Sequence, residues 1–315
     1  MTKPEERKWF NKKQESIEKF IPNYLQNYVQ PYHGDFCFSR IFHHQLIAQL
    51  CFEGFLPIAT DGCLLPKLHE QRCVITLPDD LHVSKSTRKK SKKFNLSVNK
   101  AFDRVVEGCR KQHGDRCWLY PPLVRSFRKM NQQGNVQAEV YEDGGKQKMG
   151  RTSSVRLYSI ELWDLDGELV AGELGYTTGS IYTSLTGFSA QDSAGSIQLA
   201  ALGRLLSGLG FSIWDLGMEM QYKFDLGCKL MPRRRYLEHV WNVRESKAGL
   251  VLPTDGESFN ARTIIDKMPL KSFGTEQSTN FLKENSAKHE SSRDVKGYLP
   301  EKKRSKTSND HSTLS

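Results

Sequence analysis

Apolar residues recur at helical intervals in four stretches of the chain. From His43 to Phe55, Leu46, Ile47 and Leu50 share one face, and Gly54 followed by Pro57 closes the run. Phe102, Val105, Val106 and Cys109 follow the i, i+3, i+4, i+7 spacing, with Asn99 as the predicted cap. Ile197, Ala201 and Leu205 mark a helix from about Ser193 to Leu209, capped by Asp192 or Ser193 and ended by the glycines at 208 and 210. Trp9, Phe10, Ile17, Phe20, Ile21 and Leu25 predict an amphipathic leader helix within residues 1–30.

Elsewhere the pattern has a period of two. Val74 to Leu77 and Phe94 to Val98 read as strands, and residues 156–188 read as successive antiparallel strands turning at Asp166-Gly167 and Thr178-Gly179. FSIWDLGMEM, residues 211–220, predicts a returning strand, which would place Asp215, Gly217, Glu219 and Gln221 on one face. This alternation of helices with a largely antiparallel sheet is an α+β pattern. Two stretches break it. Residues 132–154 are rich in Gly, Lys and Gln and predict a mobile insertion, while residues 251–315, rich in Ser, Thr, Lys, Asn and Glu, predict a disordered tail.

Composition sharpens this picture. A chain of 315 residues with 37% hydrophobic content can bury one large core or two modest ones. Its net charge of +10 favours polyanionic partners. The excess concentrates in SKSTRKKSKK, where Lys85, Arg88, Lys89, Lys90, Lys92 and Lys93 are candidates for phosphate contact; Arg233, Arg234 and Arg235 form a second cluster. A solvated face is the plain alternative for both. Seven scattered cysteines predict reduced thiols in a cytoplasmic or nuclear protein. The EKKRSK cluster at 301–306 reads as a soluble tail or as a nuclear signal. No apolar leader and no span of roughly 20 apolar residues predicts a membrane. No CxxC pair accompanies His69, Cys73, Cys109 or Cys117, so no metal site is expected, and a lone His82 reads as structural. The glycines at 172, 175 and 179 form neither GxGxxG nor a Walker loop, so no nucleotide cofactor is expected.

Several segments, in order from about Phe42 to Val243, resemble the leucyl/phenylalanyl-tRNA–protein transferase family. LIAQLCFEGFLPIA (46–59) is similar to the family's Tyr-x-x-Gly-hydrophobic-Phe-Pro-Trp helix end through Phe52, Gly54 and Pro57, with Ile58 in place of the Trp. Leu81 to Ser86 resembles its Leu-His-hydrophobic-Ser-Arg/Lys-Ser segment, and Tyr158 to Tyr176 its Glu-Leu-Val-Gly-Gly signature. WDLGMEMQYKFDLGCKLMPRRRYL (214–237) is similar to Asp-Cys-Gln…Leu-Gly-Ala…Ile-Pro-Arg-Arg-x-Tyr-Leu through Asp215, Leu226, Gly227, Pro232, Arg233, Arg234, Tyr236 and Leu237. Two departures stand out: Gly217 replaces the family's Gln, and Ser184-Leu185-Thr186-Gly187-Phe188-Ser189 replaces Gly-Glu-Ser-Met-Phe-Ser.

The resemblance implies a small N-terminal domain over residues 1–72, a GNAT-like acyltransferase domain over 73–250, and transfer of a Leu- or Phe-like amino acid from aminoacyl-tRNA to a protein N-terminus, feeding degradation. The partners implied are aminoacyl-tRNA and proteins beginning with Arg or Lys; a monomer and no cofactor beyond the tRNA are expected. Trp118 corresponds to a family Trp that lines the terminal adenosine site and reads alternatively as core. With Phe127, Tyr182, Leu185, Phe188 and Ile213 it makes up the expected aminoacyl and adenosine pocket. An aminoacyl ester is already activated, so the enzyme has to position it, deprotonate an amine and stabilise an oxyanion. Asp215 is the expected base, with Glu219 or Gln221 in the role of the missing Gln, although Asp215 could instead bind a basic acceptor residue. Two further readings stay open: a GNAT-like acyltransferase using another donor such as acetyl-coenzyme A, and a tRNA- or protein-binding descendant without activity.

Overall fold

The apolar stripes read above become two layers packed on the two faces of one sheet. The computed structural model describes residues 38–142, 147–246 and 257–267. The elements run α1 (His44–Phe52), β1 (Leu56–Thr60), β2 (Cys63–Lys67), β3 (Gln71–Thr76), α2 (Lys85–Lys90), β4 (Asn95–Val98), α3 (Phe102–His113), α4 (Pro121–Gln133), β5 (Asn135–Glu142), β6 (Gln147–Trp163), β7 (Leu169–Thr178), β8 (Ile181–Ser189), α5 (Ala194–Gly208), β9 (Ile213–Asp215), α6 (Gln221–Asp225), β10 (Lys229–Pro232), α7 (Arg233–Val243), β11 (Ser258–Asn260) and α8 (Ala261–Lys267). β1 and β2 form a separate hairpin. A nine-stranded sheet has the order β10-β3-β9-β8-β7-β6-β4-β11, with β5 paired to β6. The fold is therefore α+β with a mostly antiparallel sheet.

Phe102, Val105, Val106 and Cys109 of α3 are buried as their spacing predicts. At about 1.5–3 kcal/mol for each large apolar side chain, that stripe outweighs the helix's polar composition. It joins α1, α4 and the Tyr236, Leu237 and Val240 stripe of α7 in one apolar layer. On the other face α5 and α8 pack over Leu96, Ile160, Tyr182 and Trp214. α1 shares its core with the sheet, through Leu46, Ile47 and Phe52.

Three expectations need correction. The 132–154 insertion is ordered where it is described, as the end of α4 and a β5–β6 hairpin. Val136, Ala138 and Val140 alternate inward on β5, a period hidden by the polar residues between them. The 251–315 tail contains β11 and α8: Phe259 pairs with Leu96, and Ile264 and Ile265 are buried, so three apolar side chains suffice to dock a short segment. Asn99 caps no helix. It sits at φ +56°, its side chain bonds the Ser159 amide and Asn131, and α3 starts three residues later. The leader helix within residues 1–30 and the EKKRSK cluster lie outside the described residues.

Candidate acyl-transfer site

β8 and β9 form the one parallel pair among the described strands, and they stay together for three residues only: Ile181 with Ile213, Tyr182 with Trp214, Thr183 with Asp215. Parallel strands need a crossover, and α5 supplies it. After Asp215 the chain parts from β8, keeps two backbone bonds to Cys73 of β3 through Leu216 and Gly217, and turns at Gly217 with φ +73°. β8 continues alone on that side. Here its ladder with β7 slips: Gly175 faces Ser184, Leu174 faces Thr186, and Leu185 has no partner. A β-bulge beside a splayed strand pair re-aims side chains and frees backbone groups, which is why bulges recur beside active sites. Residues 184–188 are half-buried at this notch, and Met218, Met220 and Tyr222 are exposed at its rim. Lys223 holds the departing loop by donating from Nζ to the carbonyls of Leu216 and Met218, both at 2.6 Å. Burial draws its pKa down.

Beneath the bulge lies a carboxylate that the strand pattern hid. Glu173 of β7 is buried; Tyr182 Oη and Ser184 Oγ donate to its Oε1 at 2.9 and 2.8 Å, and Gln198 Nε2 of α5 donates to its Oε2 at 3.1 Å. Trp214 Nε1 donates to Ser184 Oγ at 3.0 Å. Burial pushes the Glu173 carboxyl above the ordinary value against the pull of these hydrogen bonds and of Lys223. The Tyr222 hydroxyl, on a ring that is only partly covered, is pushed up to about 12 by desolvation and then by the Glu173 charge. The one available signal was a single acid in a run of apolar and Gly positions, LVAGELGYTT, which is buried on both faces. Gly175 is required for this network, because a Cβ there would overlap the Tyr182 hydroxyl. Gly175→Ala is expected to destabilise the fold by about 1–3 kcal/mol through overpacking, measured by urea unfolding; unchanged stability would show that Tyr182 can move aside.

Asp215 does something other than expected. It is fully buried and bound at both oxygens: Arg72 Nε to Oδ1 at 3.2 Å, Arg72 Nη2 to Oδ2 at 2.5 Å, the Gly217 amide to Oδ1 and the Tyr236 hydroxyl to Oδ2, each at 2.9 Å. A carboxylate offers about four acceptor sites, and four donors fill them. It has neither a lone pair nor an opening for an incoming amine, so the role of base is withdrawn. Glu219 and Gln221 do not share its face. The strand ends at Asp215, Glu219 lies in the loop, Gln221 begins α6, and both are exposed.

The expected pocket divides. Trp118, Phe127, Leu185, Phe188 and Ile213 lie against one apolar layer, Trp118 meeting Phe127 edge to face at 6.4 Å. Tyr182 belongs to the opposite layer. Among the basic residues, Lys85, Lys89, Lys92 and Lys93 are exposed on α2 and the turn after it. Arg88 pairs with Asp266 at 2.5 Å and Lys90 donates to Ser193. Arg233 donates to the carbonyls of Leu68 and His69, which ties α7 to the β2–β3 connection and withdraws it from phosphate contact, whereas Arg234 is exposed beside Glu238. Among the described residues, no group of three His, Cys, Asp or Glu could hold a metal, and no helix is long and apolar enough to cross a membrane.

A family model described as leucyl/phenylalanyl-tRNA protein transferase matches residues 74–241, just over half of the 315, spanning β3 to α7 and hence the whole notch. The chain is 27% identical over 183 residues to the leucyl/phenylalanyl-tRNA–protein transferase of Pectobacterium atrosepticum, covering 57% of this chain and 69% of that protein. To the protein of the same name from Edwardsiella ictaluri it is 25% identical over 193 residues, covering 61% and 71%.

Proposed function

The chain belongs to the leucyl/phenylalanyl-tRNA protein transferase family, and from that premise we propose that it transfers an amino acid from aminoacyl-tRNA to the α-amine of a protein N-terminus. The supporting observation is the notch itself: a parallel pair that parts at a β-bulge inside the matched region, leaving Leu185 unpaired where backbone donors could face a tetrahedral oxygen. The same pairing supports reading the body as a GNAT-like acyltransferase fold. No cofactor is needed, since the ester already carries the activation. Leu185 and Phe188 line the half-buried side of the notch and would face an apolar donor side chain. Trp118, half-buried, would present a face to the terminal adenine, a contact of about 1–3 kcal/mol in single-strand binders. The four exposed lysines near Ser84–Lys93 supply charge for the tRNA backbone, and the protein works as a monomer in the cytoplasm. Transfer to an N-terminal Arg or Lys would feed degradation of the acceptor.

The test is direct. Purified protein is incubated with Leu-, Phe- and other charged tRNAs and with peptides beginning with Arg, Lys, Asp or Glu, and labelled peptide is read by mass spectrometry. Transfer of Leu or Phe to the Arg and Lys peptides is the expected result. Binding of tRNA with no transfer from any charged species would replace this reading with that of an inactive descendant.

A further inference from the structure

With Asp215 saturated, the reaction lacks a group to take the amine's proton, and one side-chain pair at the notch is placed to do so. Ser184 stands at the start of the bulge and is half-buried, with its hydroxyl held from two sides. Trp214 Nε1 donates to it at 3.0 Å, which occupies a lone pair and directs the hydroxyl proton to Glu173 Oε1 at 2.8 Å. Glu173 is itself fixed by Tyr182 and Gln198, with three donors on a carboxylate that accepts about four, so it keeps room for a proton. A hydroxyl so oriented is a relay: it can accept a proton at its oxygen while passing its own inward.

We infer that Ser184 and Glu173 form the proton relay of acyl transfer, Ser184 touching the acceptor amine and Glu173 storing its proton. The inference rests on the transferase reading above and deepens it. In the step, the neutral α-amine attacks the ester carbonyl carbon, forming the C–N bond. One amine proton moves to Ser184 Oγ as the serine proton moves to Glu173 Oε1. The tetrahedral intermediate collapses by breaking the C–O bond to the ribose, and the departing oxygen recovers a proton along the same path, leaving an amide, a free tRNA end and the relay as it began. Glu173 is the positioning and storage group; Ser184 is the one in contact with substrate.

Burial holds the Glu173 carboxyl above the usual range, in the direction that suits a base working near neutrality. The charged or titratable groups that act on it or respond to it are Lys223 and Tyr222 of α6, Tyr182 of β8 and Cys109 of α3. The thiol and both hydroxyls are pushed upward, away from neutrality.

The test is single-turnover transfer from charged tRNA to a peptide with N-terminal Arg, for wild type, Glu173→Gln, Ser184→Ala and Ser184→Thr, over a range of pH. Glu173→Gln and Ser184→Ala are each expected to slow transfer about 100-fold or more with tRNA affinity unchanged, since acid–base groups contribute about 10²–10⁴. Glu173→Gln should lose the part of the acid limb that belongs to the Glu173 carboxyl and keep only the limb of the peptide's own α-amine, a change that lost packing alone would not produce. Ser184→Thr keeps the hydroxyl and should recover most of the rate. Wild-type rate and profile in Glu173→Gln, or full activity in Ser184→Ala, overturns the relay. Should Glu173→Gln fail to fold, Ser184→Ala and Ser184→Thr decide together, because the threonine restores the hydroxyl that Trp214 and Glu173 share and loss of rate in the alanine without recovery in the threonine overturns the relay. Absence of transfer by the wild type would remove the transferase reading and this inference together; wild-type transfer with unimpaired variants removes the inference alone.

Discussion

Arg72→Ala is expected to lower the free energy of unfolding by about 3–5 kcal/mol, the usual cost of leaving one charge of a buried pair uncompensated. Arg72 and Asp215 are both wholly enclosed, and the guanidinium also donates to the Gly54 carbonyl at 3.3 Å and to Tyr236 Oη at 3.2 Å, with the Tyr236 ring 4.5 Å from its central carbon. One pair thus joins the turn after α1, the end of β9 and the start of α7. Removing the arginine would strand Asp215 where β8 and β9 part, so transfer should fall with stability. Arg72→Met combined with Asp215→Leu removes both charges and should regain much of the lost stability, because apolar replacements of a buried pair are often neutral. Chemical denaturation read by tryptophan fluorescence measures both. A loss below about 1 kcal/mol for Arg72→Ala would mean that water reaches the site and screens the aspartate.

The pair also sets a pH dependence. Burial raises the Asp215 carboxyl, but Arg72, the Gly217 amide and Tyr236 outweigh it and hold the pKa below the ordinary 3.8. A depressed carboxylate stabilises the fold fully above its unfolded pKa, and that contribution fades as pH falls toward the folded value. Acid unfolding of the wild type should therefore begin below about pH 4 at this pair. The double variant should lose that component.

Legibility in the sequence followed periodicity. The α3 stripe, the turns at Asp166-Gly167 and Thr178-Gly179 and the span of the helix from 194 to 208 stand as read, although Ser193 at the start of that helix makes no side-chain cap bond. The β5–β6 pairing is hidden in the sequence because the apolar positions of β5 alternate with polar ones and the first residues of β6, from Gln147 to Ser154, are mostly polar. The segment after β9 failed for a different reason. FSIWDLGMEM alternates well, but Gly217 takes a left-handed conformation and Lys223 ties down the carbonyls of 216 and 218, so tertiary bonds override a strand pattern. The site suffered most. Asp215 was conspicuous as an acid in a matched motif, yet its partner Arg72 lies 143 residues earlier and no local pattern links them. Glu173 falls inside residues 156–188, which read as strands, but a period-two reading assigns faces without saying which face holds a polar cluster.

Changing Lys85, Lys89, Lys92 and Lys93 together to Gln is expected to weaken tRNA binding by about two orders of magnitude at moderate salt and to flatten the dependence of log affinity on log salt by about three, since each lost phosphate contact removes roughly 0.7–0.9 from the slope. The four form a stripe at spacings of four, three and one along α2 and the turn from Ser91 to Lys93, all exposed. Their neighbours are committed elsewhere: Arg88 to Asp266, Lys90 to Ser193. Ser84 caps α2 through its hydroxyl on the Thr87 amide, so the stripe is displayed on a turn of helix whose start is fixed independently of the lysines. Neutralising them should leave folding untouched, because exposed charges contribute little to stability, and should leave the rate for bound tRNA unchanged while raising the KM for charged tRNA. Equal salt slopes for wild type and variant would place the backbone contacts elsewhere on the surface. Arg40, Arg125 and Lys129 are the alternative contact surface: they line a basin of about 380 Å³ beside His44, whose pKa burial, His43 and Lys129 together lower to about 4, so that it stays neutral near pH 7 and the three exposed cations carry the charge.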